Sequence, residues 1–157
     1  MLLNKLYIFG ANYPLTLVPL IALFVYWRSS GEQRRQLLLR GLIVLITGIA
    51  LAKIGGMVYN EPRPFIVEHI QPLIPHVNDS GFPSDHTLTV SAIALLLAPF
   101  SLPAAGMTLL LAAIIGISRI GCHLHSVLDI MASFLFAIMA NGIAWLIVHP
   151  AQLRKPR

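Results

Sequence analysis

Apolar residues gather in five runs, at roughly 13–27, 41–58, 87–100, 104–117 and 130–148, and most of the polar chemistry lies between them. Runs of this length approach the ~20 residues that an α-helix needs to cross a hydrocarbon core of ~30 Å. The runs at 87–100 and 104–117 are short alone and need flanking residues to complete a crossing. The pattern predicts an all-α fold: an integral membrane helical bundle of about five transmembrane helices, in a single domain over residues 1–157. Residues 1–12, MLLNKLYIFGAN, are too short to span and predict an N-terminal interfacial helix lying on the outer surface. Pro14 stands near the start of the first span, and Pro99-Phe100-Ser101-Leu102-Pro103 marks a tight, uncharged turn between the third and fourth.

Composition agrees, with 57% hydrophobic and only 11% charged residues, far from the averages of soluble domains. The first run ends in Trp27-Arg28 without a small-residue cleavage site, and its basic flank follows it, so no cleaved signal peptide is expected. Cys122 is the only cysteine and can form no intramolecular disulfide. The placement of charge adds more than the net value of +5. Arg28, Arg34, Arg35 and Arg40 lie between the first two runs, and Arg154, Lys155 and Arg157 follow the last. By the positive-inside rule both clusters are cytoplasmic, which an alternating path satisfies if it begins outside and ends inside. A nucleic-acid surface is not needed to explain this charge, because both clusters flank helices at one membrane face.

The same path sends the remaining chemistry outward. Lys53 sits a turn or two below the outer end of the second run, where a charge is costly unless it faces a cavity or partner; snorkelling to the interface is the simpler account. Pro62 and Pro64 flank Arg63, ending the helix and stiffening the segment that presents a guanidinium, although an arginine there also serves as a stop signal. His69 and His76 fall in a partly apolar stretch and are assigned to packing or surface. Gly81-Phe82-Pro83-Ser84-Asp85-His86 leads into the third run. Ser84 suits a helix start, where free backbone N–H groups and the positive dipole end favour an anion, and ordinary capping by Ser84 and Asp85 is locally sufficient. The charge of Asp85 would repel such an anion unless it points away or holds a histidine. In SRIGCHLHSVLD, residues 118–129, His125 and Asp129 are four apart and share a helical face. The carboxylate can fix the tautomer of the imidazole, or merely cap the next helix. Arg119 adds a planar fork of donors suited to phosphate or carboxylate oxygens. Together, three cations, a helix N-terminus and two histidines at the outer ends of four helices describe a site for a multiply charged anion.

At these residues the chain resembles the type 2 phosphatidic acid phosphatase (PAP2) superfamily, related in its site to vanadium haloperoxidases. The family pattern is a lysine and a later Arg-Pro, then Pro-Ser-Gly-His, then Ser-Arg, five residues, His, three residues and Asp. Arg63-Pro64, Pro83-Ser84-Asp85-His86 and Ser118-Arg119…His125…Asp129 match it, over roughly residues 50–135. The run RPFIVEHIQPLIPHVNDSGFPSDH looks like the bacterial BcrC-type undecaprenyl-diphosphate phosphatases, where an aspartate also replaces that glycine. Two positions depart: the family lysine falls seven residues before the arginine, at Gly56 here, whereas Lys53 lies ten before, and His123 stands where many members have glycine.

The resemblance implies a multi-pass protein of the bacterial inner membrane, with its site facing the periplasm or cell exterior. There His125 would attack the terminal phosphorus to form a phosphohistidine, Asp129 would orient it, and His86 would protonate the leaving oxygen. Arg63, Arg119, Ser84 and, more weakly, Lys53 would hold the phosphoryl oxygens, with no metal or other cofactor. The implied partners are a lipid (di)phosphate and the surrounding membrane lipids, with undecaprenyl diphosphate first among substrates. Phosphatidylglycerophosphate, phosphatidic acid, lipid A phosphate and lipid phosphotransfer are the alternatives within the family. A histidine-rich metal-binding membrane protein or transporter, using His123, His125 and Asp129 with His69, His76 or His86, is the reading from another class. Two arginines at the site argue against a cation there. A non-catalytic structural protein would leave the outer clustering unexplained.

Overall fold

The computed structural model describes residues 1–153, with side chains described to Val148. The cytoplasmic assignment of Arg154, Lys155 and Arg157, and the interfacial one of the His149 side chain, lie outside the described residues. Helix α1 (Leu2–Asn12) passes through a 3₁₀ turn (Pro14–Thr16) into α2 (Leu17–Arg28), followed by α3 (Gly31–Val58) and a single turn, α4 (Pro64–Val67). Helices α5 (Asp85–Leu97), α6 (Leu102–Gly121) and α7 (Val127–Leu153) complete the bundle. Among the described residues there is no strand, only an isolated bridge between Pro62 and Ser80.

Four helical stretches are long and apolar enough to cross a membrane: Leu2–Arg28, Gly31–Val58, Leu102–Gly121 and Val127–Val148. Their outward faces carry Phe24, Ile46, Leu110, Ile117, Ile138 and Leu146, all exposed. In water such a belt would drive aggregation, whereas in lipid it costs nothing, because every helical backbone group is already satisfied within its own segment. The protein is therefore a multi-pass membrane protein. Where the sequence suggests a separate N-terminal interfacial helix, α1 instead docks against α6 and continues into the first span. The reason is close helix approach between glycines and their partners. A Cβ at Gly10 would collide with the Ser118 hydroxyl, and one at Gly121 would come within 2.6 Å of the Tyr7 ring.

Helix α5 is shorter than the four crossing stretches and the most enclosed, packing against the longer α3, α6 and α7. Its 13 residues rise roughly 20 Å, less than the hydrocarbon thickness. Small residues let the neighbours close in: Ala92 of α5 and Ala137, Ala140 and Ala144 of α7 form one buried cluster with Val44 and Leu88. Asn141 of α7 donates to the Ala92 carbonyl at 3.1 Å, a polar tie inside the bundle. The 59–84 connection covers the bundle end beside α5. Phe65 packs with Ala11, Cys122 and Leu124, and Leu73 and Ile74 rest on the same cluster. Backbone bonds from Phe65 to His123 O (3.1 Å) and from Leu73 to Cys122 O (3.3 Å) hold it there.

The opposite end is closed by turns whose polar groups are consumed locally. Ser30 and Gln33 form a reciprocal capping box at the start of α3. Arg34 donates to the carbonyls of Tyr26 (3.0 Å) and Trp27 (2.9 Å), satisfying the C-terminal end of α2. Arg34 thus ties the turn, a role beyond the topological one that its charge suggests.

The α1–α6 contact makes a first prediction. Gly121→Leu should lower the melting temperature of the detergent-purified protein by several degrees, an overpacking cost of about 1–3 kcal/mol. Gly142→Ala, where an added Cβ meets nothing, should leave it unchanged or slightly raised. Equal melting temperatures for Gly121→Leu and the parent would show that α1 is not docked as described.

Candidate active site

The turn between α6 and α7 is built to aim one imidazole. Helix α6 ends at Cys122, and His123 takes a left-handed backbone conformation (φ 61°) that reverses the chain. Glycine adopts this conformation without strain, which gives a physical reason for the glycine that many similar sequences carry here. In this chain the His123 ring instead makes an exposed hydrogen bond with Glu68, Nδ1 to Oε2 at 2.9 Å. The reversal brings the next histidine inward, and His125 is only 3% exposed.

His125 is oriented through Nδ1, which lies 2.9 Å from the Gly81 carbonyl and 3.3 Å from Asp129 Oδ2. Both partners are acceptors, so Nδ1 carries the proton and Nε2 holds the lone pair. Asp129 does two things at once. Its Oδ2 accepts from Ser126 N (2.8 Å) while Ser126 Oγ accepts from Asp129 N (3.2 Å), a reciprocal cap on α7. The capping account and the tautomer-fixing account of this aspartate are thus both realised. Gly81 lets the backbone pass close to both side chains, since a Cβ there would sit 3.2 Å from Asp129 Oδ2 and 3.4 Å from Arg63 Cγ and push on them.

Arg63, 6% exposed, reaches the same point from the 59–84 connection. Its Nε donates to Asp79 Oδ1 at 2.6 Å, and its Nη1 lies 3.0 Å from the Leu124 carbonyl and 3.2 Å from His125 Nε2. An arginine can only donate, so His125 Nε2 accepts, consistent with the tautomer set by its other nitrogen. The hydrogen bond from Arg63 holds the Asp79 carboxyl below its ordinary range. Burial pushes the His125 pKa down, Asp129 opposes this through its hydrogen bond, and the charges of Arg119 and Arg63 reinforce it.

Arg119 enters from the last turn of α6 and is 4% exposed. Its Nε has no hydrogen-bond partner, and among the described residues no carboxylate pairs with it. His86, in the first turn of α5, and Lys53 and Asp85 line the same cavity as Arg63, Arg119 and His125. Ser84 is placed differently from its expected role. It is fully buried, its hydroxyl lies 3.2 Å from that of Thr87, and it is not among the cavity-lining residues. It makes no side-chain cap, so the first amides of α5 stay uncapped. Asp129 likewise stands behind the cavity wall. The histidines do not converge as a metal site: His123 turns to Glu68 while His125 turns to Gly81, and among the described residues no group of three or more His, Cys, Asp or Glu is positioned to hold a metal ion.

The cavity, about 890 Å³, continues from this cationic end into an apolar cleft between α3 and α5, walled by Val44, Gly48, Ile49, Ala52, Leu88 and Leu96. A charged head and a hydrocarbon tail therefore each have a matching surface. Two polar groups were not singled out from sequence, the Gly81 carbonyl and Asp79, and His76, assigned there to packing or surface, lines the cavity instead. All three sit on the irregular 59–84 connection, where no periodicity marks a direction.

Comparison with known proteins places this arrangement. The family model described as the PAP2 superfamily matches residues 36–153. The bacitracin transport permease protein BcrC of Bacillus licheniformis is 31% identical over 140 residues, covering 88% of this chain and 68% of that protein. The undecaprenyl-diphosphatase BcrC of Bacillus subtilis (strain 168) is 29% identical over 154 residues, covering 98% and 78%. The crystal structure of Aquifex aeolicus LpxE aligns with a TM-score of 0.63 and 28% identity over 91% of this chain and 85% of that one. A PAP2-type phosphatidylglycerolphosphate phosphatase from Bacillus subtilis shares the fold, with a TM-score of 0.56 and 21% identity over 99% and 80%.

The electrostatics predict a pH response. Because His125 is neutral below the usual histidine range, activity that needs its lone pair should persist as pH falls through ~6.5. Asp129→Asn removes an influence that raises the pKa, so the acid limb of kcat/KM should move to lower pH while the rate itself drops about tenfold or more. Any titration of the substrate is common to both proteins. A limb that moves upward in the variant would contradict the assigned tautomer.

Proposed function

The chain belongs to the PAP2 superfamily, and on that premise we propose that it is a membrane lipid-diphosphate phosphatase that converts undecaprenyl diphosphate to undecaprenyl phosphate and inorganic phosphate. The observation that carries the chemistry is a buried Arg119, its Nε unpartnered and no carboxylate within ion-pair distance, in one cavity with the lone pair of His125. A buried guanidinium with an unpaired donor is costly, and an arriving phosphoryl group removes that cost. The relative named undecaprenyl-diphosphatase BcrC supports the diphosphate lipid as the substrate, and the apolar cleft beside the cationic end supports an amphiphile.

In this mechanism the terminal phosphoryl group displaces Arg63 from His125 Nε2, and Arg63 and Arg119 each take phosphoryl oxygens. Nε2 attacks the terminal phosphorus in line, the bond from that phosphorus to the bridging oxygen breaks, and the lipid phosphate leaves. Asp129 and the Gly81 carbonyl stabilise the positive charge that grows on the imidazole. His86, at the start of α5, takes up a proton from solvent as the phosphoryl charge enters the cavity and supplies it to the leaving oxygen. It then takes one from the water that attacks the phosphohistidine, which releases inorganic phosphate and restores His125. The two cations and the helix terminus provide the charge stabilisation, so no step calls on a metal. The positive-inside pattern supports a site on the periplasmic or outer face of a bacterial inner membrane, with the C-terminus cytoplasmic.

Phosphate release by the purified protein from undecaprenyl diphosphate, with EDTA present and a His125→Ala control beside it, tests this. Activity should survive EDTA and fall about a thousandfold or more in the variant. Release that EDTA abolishes, or that His125→Ala leaves intact, would overturn the mechanism; release only from phospholipid phosphates would overturn the substrate. Arg119→Ala should cost about a hundredfold, and Lys53→Ala much less, because Lys53 is exposed and sits ten residues before Arg63. Equal losses would show that the shifted lysine reaches the phosphoryl group as well as Arg119 does. The leaving group gives a further check. A lipid phosphate is a weak base, with a second pKa of ~6, whereas an alkoxide approaches hydroxide, the conjugate base of water with pKa ~15.7. His86→Ala should therefore slow a diphosphate substrate far less than a phosphomonoester, and equal slowing would remove His86 as the acid.

A further inference from the structure

His76 stands in the cavity with a hydrogen-bond arrangement that is incomplete as it is. Its Nδ1 accepts from the amide of Val77 at 3.0 Å, a bond made only when that nitrogen is unprotonated. The neutral ring therefore carries its proton on Nε2. That nitrogen faces Arg119 Nη2 at 3.5 Å, and Arg119 can only donate. Two donors thus confront each other with no acceptor between them, beside an Arg119 Nε that also has no partner and is buried. Burial, then the charges of Arg63 and Arg119, lower the His76 pKa and keep the ring in this neutral form.

We propose that His76 is a phosphate-binding residue of this site, its Nε2–H and the Arg119 guanidinium together holding one oxygen of the terminal phosphoryl group. An oxygen between them satisfies both donors at once and turns an unfavourable contact into two charge-assisted hydrogen bonds. Arg63, Arg119 and His125 line the same cavity as His76, so the oxygen held there belongs to the phosphoryl group under attack. His76 complements Arg63: one closes the oxyanion site from the segment before Ser80, the other from the start of the same connection. Sequence alone leaves His76 as a packing or surface residue, because nothing near it in the chain marks its neighbours.

This inference rests on the phosphatase reading, and the test separates the two. The detergent-purified full chain is compared with His76→Ala and with His76→Gln, whose amide N–H sits near the position of Nε2–H. Two quantities are measured: kcat and KM for a lipid diphosphate, and the affinity for inorganic phosphate from the concentration dependence of the melting temperature. His76→Ala should raise KM and weaken phosphate binding by about tenfold, with kcat changing less. His76→Gln should recover most of both, and unliganded melting temperatures of the three proteins should agree within a few degrees. Unchanged phosphate binding in His76→Ala, or a Gln variant as weak as the Ala variant, would overturn the proposal. Failure of the phosphatase reading looks different: the parent protein itself then releases no phosphate from any lipid phosphate.

Discussion

One guanidinium ties together the parts of the site that the chain brings in separately. Arg63 is nearly buried, and its donors reach Asp79, the Leu124 carbonyl and His125 Nε2. Asp79 lies on the same connection as Arg63, and Leu124 and His125 lie on the turn between α6 and α7, two stretches without regular structure. Each unpaired donor on a buried cation is costly, so the demands of Arg63 constrain how the 59–84 connection lies over the bundle. The same demands explain an aspartate in a site otherwise rich in positive charge. Asp79 balances Arg63 through Nε and leaves the other edge of the fork toward the nucleophile.

The second constraint is the length of α5. A short helix enclosed by longer ones ends inside their envelope, and the connection before it has to descend to meet it. That descent carries Gly81 under His125 and places the uncapped amides of α5 and His86 at the floor of the cavity. Ser133 of α7 links the floor to the wall, its hydroxyl lying 2.9 Å from the Ser84 carbonyl and 2.7 Å from the Asp129 carbonyl. The Ser133 hydroxyl and the Ser84 and Asp129 carbonyls behind the cavity are thus tied to one another by the bundle, while the Arg119 Nε is left without a partner.

Much of this was legible in the chain before any coordinates. The spans are visible because lipid allows only long apolar helices, and Lys53, Arg63, His86, Arg119 and His125 stand out because charge at those depths needs a reason. The spacing of His125 and Asp129 declares their shared face. What stayed hidden depends on tertiary placement. Whether Ser84 turns its hydroxyl to the cavity or to Thr87 is a choice of rotamer. Gly81 acts through its carbonyl, which no side-chain pattern announces. His76 and Asp79 lie on backbone without period, so proximity to Arg119 and Arg63 is set by the fold and not by spacing. The docking of α1 hinges on Gly10 and Gly121, and glycines in an apolar run carry no amphipathic signal.

The apolar cleft has a finite reach. Its α3 wall runs from Gly41 to Ala52, a rise of about 16 Å at 1.5 Å per residue. The polyprenyl chain of the proposed substrate is several times longer when extended, so this cleft would grip only its first few isoprene units and leave the rest in the bilayer. Discrimination on that substrate would reside in the head group and the nearest carbons, with the remote tail a tether that raises local concentration without being read.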